Sequence, residues 1–344
     1  MSNYSDIKFA GTSAQEPPFR NIIINGDMSI AQRGTSTASI TSSGYYTVDR
    51  FQTIITNLGT WTQSQDTDVP TGQGFATSLK MDCTTADASP SASDVLYLSQ
   101  IIESQNLQYL KKGTANAKSL TCSFWVKSNK TGTYIVGLQE FQNTRYIANS
   151  YTINSANTWE KKTITFAGDT TGTLANDNSA SLYLQFYLGA GTTYSSGTLA
   201  TSWESTTNAN RAVGQVNLAD NTANNFYITG VQLEAGTTAS DFEFLPHDVN
   251  LQRCQRYYQE NDCVGAYISG YNLANRYVSN HINLPVTMRA TPSLTTTGSP
   301  SLVNVVSNGV FGISPTSFYW YIRATSSNYL TISGDINFIA NSEL

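Results

Sequence analysis

Leu120-Thr121-Cys122-Ser123-Phe124-Trp125-Val126-Lys127 is the stretch that decides how this chain folds. Its apolar residues recur at every second position, so an extended strand sets Leu120, Cys122, Phe124 and Val126 on one face and Ser123, Trp125 and Lys127 on the other. The segment 181–188 repeats the pattern, with Leu182, Leu184, Phe186 and Leu188 opposed to Tyr183, Gln185 and Tyr187. Tyr134-Ile135-Val136-Gly137-Leu138 follows a turn at Lys130-Thr131-Gly132. In Phe226-Tyr227-Ile228-Thr229-Gly230-Val231-Gln232-Leu233 the alternation changes face at Gly230, where a β-bulge is expected. Toward the amino end, Asn21-Ile22-Ile23-Ile24-Asn25-Gly26-Asp27 is an apolar run closed by a turn, and 46–56 alternates weakly around Val48, Phe51 and Ile54. Asn- and Thr-rich stretches at 168–180 and 190–221 read as insertions on this scaffold. Many strands separated by polar turns predict an all-β chain built on a jelly-roll β-sandwich.

The flanks divide the chain further. Residues 1–20, ending in Glu16-Pro17-Pro18-Phe19, have no periodicity and read as an arm that docks on another surface. A β-sandwich is expected over 21–246. A short helical joint at 247–261 follows, with Asp248 as N-cap and Leu251, Cys254 and Tyr258 on one face. A second, smaller β domain is expected over 262–344, where Phe318, Trp320 and Ile322 oppose Tyr319, Tyr321 and Arg323.

Composition narrows the function. Of 344 residues only 12% are charged, 11% are aromatic and 20 are Tyr, with a net charge of −5, which predicts a neutral, hydroxyl-rich surface. No basic cluster exceeds Lys111-Lys112 or Lys161-Lys162, and a phosphate-tracking groove needs more, which argues against a nucleic-acid partner. No apolar run approaches the roughly 20 residues of a membrane span, and Met1 to Ala10 lacks the pattern of a secretory signal. The expectation is a chain made soluble in a cytoplasm. Its four cysteines form no CxxC pair: Cys122 reads as a small buried hydrophobe, and Cys254 and Cys263 as free thiols in a reducing compartment.

Chemistry is sparse. The two histidines, His247 and His281, show no metal-ligand spacing, and a metal site or a Ser-His-Asp triad is not expected. Asp27, Asp82 and Asp241 lack the spacing of a calcium loop and read as solvated surface. Gly189-Ala190-Gly191 leads to no lysine and helix, so it is not a phosphate loop. Asp66, Asp68, Glu140 and Glu160 are carboxylates from which a glycoside-cleaving pair could come, but nothing in sequence pairs them. The chain is therefore read as a non-enzyme without cofactor. Recognition of a sugar needs an aromatic face with polar groups beside it. Trp125, Tyr183, Gln185 and Tyr187 stand on the polar faces of their strands and are the candidate glycan site; in an oligomer the same faces would be buried between subunits. Trp159, at a strand start, is read as core. Tyr319, Tyr321 and the loops of the second domain come next as candidates.

Taken together, the motifs carry a family likeness. Asn21-Ile22-Ile23-Ile24-Asn25-Gly26-Asp27-Met28-Ser29-Ile30-Ala31-Gln32-Arg33-Gly34 followed by Tyr46-Thr47-Val48-Asp49-Arg50-Phe51 resembles the opening of a family of phage tail and virion proteins. Ser123-Phe124-Trp125-Val126-Lys127-Ser128, Trp159-Glu160-Lys161-Lys162 and Gly230-Val231-Gln232-Leu233-Glu234-Ala235-Gly236 are similar to later strands of that domain, which is itself similar to carbohydrate-binding modules with a galactose-binding-like jelly roll. Leu251-Gln252-Arg253-Cys254-Gln255-Arg256-Tyr257-Tyr258 and Pro285-Val286-Thr287-Met288-Arg289-Ala290-Thr291-Pro292 continue the likeness. The resemblance implies a structural protein of the virion: a homotrimeric tail fibre or receptor-binding protein, held to other virion proteins by its amino-terminal arm, that attaches to host surface polysaccharide. The alternative is a head decoration or tail scaffold without host binding, and a glycan depolymerase is the least favoured reading.

Overall fold

The computed structural model describes residues 19–263, 268–272, 275–298, 301–324, 327–333 and 336–344. The expected docking arm, apart from Phe19 and Arg20, lies outside the described residues. As far as residue 235 the strands are β1 (Ser36–Ile40), β2 (Gly44–Tyr45), β3 (Gln52–Thr56), β4 (Thr60–Asp66), β5 (Ser78–Thr85), β6 (Val95–Glu103), β7 (Leu120–Ser128), β8 (Gly132–Glu140), β9 (Arg145–Ile153), β10 (Glu160–Phe166), β11 (Ala180–Ala190), β12 (Glu204–Ser205) and β13 (Asn225–Ala235), with a single turn, α1 (Thr192–Ser195), after β11.

They form two sheets, β1-β4-β5-β13-β7-β10 and β12-β9-β8-β11-β6-β3-β2. The pairing is nested: β8 with β9, β7 with β10, β6 with β11 and β5 with β13, every pair antiparallel. A long hairpin folded over on itself in this way, its successive pairs falling in alternate sheets, is the jelly roll. The alternation in sequence sets which faces meet. Cys122, Phe124 and Val126 of β7, with Phe226 and Ile228 of β13, pack on Leu182, Leu184 and Phe186 of β11 and Val136 and Leu138 of β8 in one core. The Phe124 and Phe186 rings meet edge-on across it at 5.0 Å. Cys122 is buried there as a small hydrophobe. The expected bulge is present, since the pairing of β13 with β7 shifts between Thr229 and Gln232 and Gly230 takes φ +61°.

The helix α2 (His247–Gln255) differs from expectation at both ends. The residue before it is Pro246, whose carbonyl accepts the Asn250 amide, so Asp248 lies in the first turn rather than at the cap. The helix stops at Gln255, before Tyr258, because the next residues are held elsewhere. The Tyr257 ring lies under Arg50 and its hydroxyl donates to Glu103 at 2.6 Å, and Tyr258 already pairs with Asn341 in a sheet.

Beyond it run β14 (Tyr258–Cys263), β15 (Ile268–Asn272), β16 (Tyr277–Asn283), β17 (Ser293–Thr297), β18 (Ser301–Val303), β19 (Val305–Phe311), β20 (Ser317–Ala324), β21 (Asn328–Ser333) and β22 (Ile336–Asn341). They form three-stranded sheets β14-β22-β17, β15-β21-β18 and β16-β20-β19. Phe318, Trp320 and Ile322 of β20 pack with Phe338 and Met288 in a second core, separate from the first.

The two cores are joined through buried charge. Arg50 is fully buried, stacks 3.5 Å from the Tyr257 ring, donates to the Ile101 carbonyl at 2.6 Å and pairs with Glu343 near the carboxyl end. Arg33 reaches the same Glu343 at 3.0 Å. Arg256 grips Glu103 with two bonds of 2.9 and 2.8 Å, the bidentate geometry that makes such pairs strong. Removing one partner of a buried pair strands the other charge. Glu343→Ala is therefore expected to cost about 3–5 kcal/mol in denaturant unfolding, and a loss below about 1 kcal/mol would show that the joint behaves like an exposed pair.

Candidate functional site

The four residues picked from sequence do not lie on one surface. Tyr183, Gln185 and Tyr187 do point away from the core on β11, as alternation requires, but the segment after β11 folds back over that face. Its Arg211 donates to both Gln185 and Gln139, at 3.2 and 3.3 Å, and its guanidinium lies 5.5–5.9 Å from the rings of Tyr97, Tyr146, Tyr187 and Tyr194. Ala200 and Ala212 of the same segment pack with Tyr187, Tyr146 and Ile135 in a small satellite core. Gln185 and Tyr187 are consequently buried, and burial pushes the Tyr187 hydroxyl well above its ordinary pKa. Neither can touch a ligand here, which corrects their place in the predicted site. The cause is the 190–221 insertion, which supplies the covering layer that an external ligand or a neighbouring subunit was expected to supply. Tyr183 stays partly exposed at the margin, stacked on exposed Phe141 at 5.3 Å.

Trp125 is different. It stands partly exposed on the outer face of the other sheet, opposite Lys161 of β10 and Thr229 of β13. The neighbouring row runs from Trp159 through Lys127 of β7 and Tyr227 of β13 to Lys80 of β5. Trp159 is also partly exposed rather than core, and its indole N–H donates to Asp68 at 2.9 Å. The signal was present in sequence: Trp159 shares the parity of exposed Lys161, Thr163 and Thr165, while Ile164 and Phe166 turn inward. Lys127 pairs with Asp68 and lies 4.2 Å from the Tyr227 ring and 5.5 Å from that of Trp159, so one ammonium is held between two aromatic faces and a carboxylate. Although partial burial works against it, hydrogen bonds from Lys127 and Trp159 hold Asp68 below the usual carboxylate range. Lys80 sits beside both Asp82, at 2.9 Å, and Asp66, at 3.8 Å. The lysines of this row are thus each matched by an aspartate on the same face, and two indoles stand beside them, that of Trp159 oriented by its bond to Asp68.

The carboxylates considered for hydrolysis are already engaged. Glu140 is buried, takes the Gln142 and Asn143 amides at 2.9 Å each and lies 3.4 Å from Lys112. Glu160 works against partial desolvation yet is lowered to about 2 by Lys162, Ser155 and Asn154. A general acid needs the opposite shift, upward. Asp49 is raised, chiefly by burial, but it is enclosed with Gln32 and Arg33 away from this face. Among the described residues no group of three or more His, Cys, Asp and Glu is placed to hold a metal ion, and no helix is long and apolar enough to cross a membrane.

No family model matches the chain, and no curated protein matches it. Solved structures similar to it include a putative sugar-binding protein from Bacteroides thetaiotaomicron, at 14% identity over 62% of this chain and 99% of that one with a TM-score of 0.35. The CBM22-1 xylan-binding domain of Xyn10C from Paenibacillus barcinonensis superposes at 12% identity over 61% of this chain and 100% of that one, TM-score 0.26. The enzymatically active domain of tailspike protein 4 of bacteriophage CBA120 is 16% identical over 64% of this chain, TM-score 0.32, and only 22% of that domain is spanned. At such TM-scores these likenesses add nothing to the fold assignment, which stands on the nested strand pairing.

The two outward faces make opposite demands on mutation. Tyr187→Ala empties a packed site and is expected to cost about 3–5 kcal/mol in unfolding, whereas Trp125→Ala should cost about 1 kcal/mol. Equal losses at both positions would mean that Trp125 is packing rather than platform.

Proposed function

We propose that the protein is a structural component of a bacteriophage particle, a tail fibre or receptor-binding protein whose jelly roll attaches to neutral or weakly charged host surface glycan without cleaving it. The observation that carries the glycan reading is the Trp125 and Trp159 platform, with Asp68 fixing one indole and polar groups in register beside both. A pyranose presents an apolar face for stacking and a rim of hydroxyls, and indoles flanked by carboxylate and ammonium groups suit both. The compensation of Lys80 and Lys127 by Asp82, Asp66 and Asp68 leaves little net charge to recruit an anionic polymer. The virion reading draws its support from the sequence motifs at 21–34 and 46–51 and in the α2 region. With it come the further proposals that the chain is a homotrimer in the virion and that residues 1–20 dock it to other virion proteins.

Adsorption of purified protein to host cells tests both halves. Trp159→Ala and Trp125→Ala are each expected to reduce adsorption while leaving the unfolding midpoint within a few degrees of wild type. Raising salt from about 0.1 to about 1 M, which shortens the screening length from about 10 to about 3 Å, should change adsorption little. A collapse of adsorption in high salt would replace stacking by an ion-paired receptor contact. Undiminished adsorption in both tryptophan variants would remove the platform from the function.

A further inference from the structure

The smaller C-terminal core carries a second aromatic surface on its outer side. Strand β20 lies between β16 and β19, and its inward residues Phe318, Trp320 and Ile322 are buried while Tyr319, Tyr321 and Arg323 face outward. Register aligns His281, Tyr319 and Phe311 in one row and Ser279, Tyr321 and Gly309 in the next, with Tyr277 beside Arg323 and Ser307 beyond it. Tyr277 is 59% exposed, Phe311 46% and Tyr319 38%, so among the described residues these rings are left largely uncovered.

The rings do not form a flat strip. Phe311 stacks on Tyr319 at 5.1 Å and 17°, but Tyr321 meets Tyr277 at 85° and Phe311 at 57°, so three rings wall a hollow of about 290 Å³. Glycines make this corner possible. A Cβ on Gly309 would come within 3.1 Å of the Tyr321 ring, and one on Gly312, at φ +59°, within 3.1 Å of the Tyr319 ring, so both tyrosines lie low over bare backbone. The rim is polar and nearly uncharged: β16, β19 and β20 contain no carboxylate, and their one guanidinium, Arg323, donates to Asn275 at 3.0 Å.

We propose that this corner of the three-stranded β16-β20-β19 ribbon is a second glycan-binding site, taking a neutral sugar ring by stacking on Tyr321 or Phe311 while Ser279 and Ser307 on the flanking strands meet its hydroxyls. It rests on the reading of the protein as a glycan-attachment module but uses other residues, on another sheet and another core. A second copy of the chain is the competing occupant. A stable subunit interface buries about 800 Å² on each side in matched, close-packed surfaces, and a corner of rings at 57° and 85° around a hollow offers a small ligand three walls and a flat protein face few.

Calorimetric titration of the full-length protein with neutral hexose oligosaccharides (β-1,4-galactotriose, cellohexaose and maltohexaose), paired with sedimentation, tests the assignment. For a sugar that binds, the expected stoichiometry is two per chain, falling to one in F311A/Y321A and to one in W159A, with Tyr321→Phe retaining both. Tyr277→Ala, an exposed change on an edge strand, serves as a second variant should the double variant fail to fold, and it is expected to weaken the ribbon site roughly tenfold. A single site lost in W159A and indifferent to F311A/Y321A and Tyr277→Ala overturns the second site and leaves the jelly-roll reading intact. A single site lost in the ribbon variants and kept in W159A supports the second site and overturns the first. Unchanged sugar binding with a smaller sedimenting species in F311A/Y321A assigns the ribbon to subunit contact and overturns the proposal. No binding by wild type to any of the sugars overturns both sites.

Discussion

Arg50 is a guanidinium with no access to water, and its burial is the constraint around which the two halves of the chain are arranged. Taking such a charge out of water costs several kcal/mol, and the cost is offset only as far as the group finds partners. They come from three distant places, Glu343 at the carboxyl end, the Ile101 carbonyl of β6 and the Tyr257 face after α2, with Arg33 of the first loop sharing Glu343; the Arg50 Nε has no hydrogen-bond partner among the described residues. None of these partners can move far without exposing an unpaired charge. Loss of contact between the cores is thus coupled to desolvated electrostatics as well as to the apolar cluster of Ile24, Ile30, Cys254 and Tyr257. Glu103 adds a second fastening of the same kind, held below its ordinary pKa, against the pull of burial, by Arg256 and Tyr257. Because its pKa is depressed on folding, the stability it contributes is present at neutral pH and is lost only as pH falls through the folded-state value.

A second buried guanidinium, Arg211, does comparable work on the far face of the jelly roll. It pins the 190–221 segment onto tyrosines that a bare sandwich would leave in water. Covering one sheet with the chain's own insertion leaves the outer face of the other sheet open, and the partly exposed Trp125 and Trp159 stand there. The division between a covered and an open face is therefore set by an insertion, not by the strands.

Much of this was legible in the sequence. Alternation in 120–127, 181–188 and 226–233 gave the inward and outward faces correctly, and the bulge at Gly230 lies where the period breaks. Alternation, however, reports only which way a side chain leaves its own strand. It says nothing of what another segment lays on top, which is why Gln185 and Tyr187 passed as surface. Trp159 was misplaced for a different reason, since a large indole at a strand start invites a core assignment although its parity matched the exposed threonines of β10. The partners of Trp159 were beyond reach, because Asp68 and Tyr227 come beside it through register across three strands, and register depends on turn geometry and packing. The helix ran too long in the sequence reading because Tyr257 and Tyr258 keep helical spacing with Cys254, while their actual conformation answers to Glu103, Arg50 and β22.

The rigid joint also bears on how weak surfaces could act together. Stacking on a partly exposed ring contributes about 0.5–1.5 kcal/mol, so neither the indole platform nor the tyrosine corner would hold a sugar firmly alone. Two weak sites on one polymer gain through effective concentration, and the gain is largest when their separation is fixed and the polymer can span it. A flexible linker between the cores would spread that separation over many values and dilute the effect. Arg50 and Glu103 remove that freedom, since reorienting the smaller core requires unpairing buried charge. Under the proposed reading, the buried electrostatics of the joint hold two modest aromatic surfaces at one separation, which is the condition under which a polymer long enough to reach both gains most from binding them together.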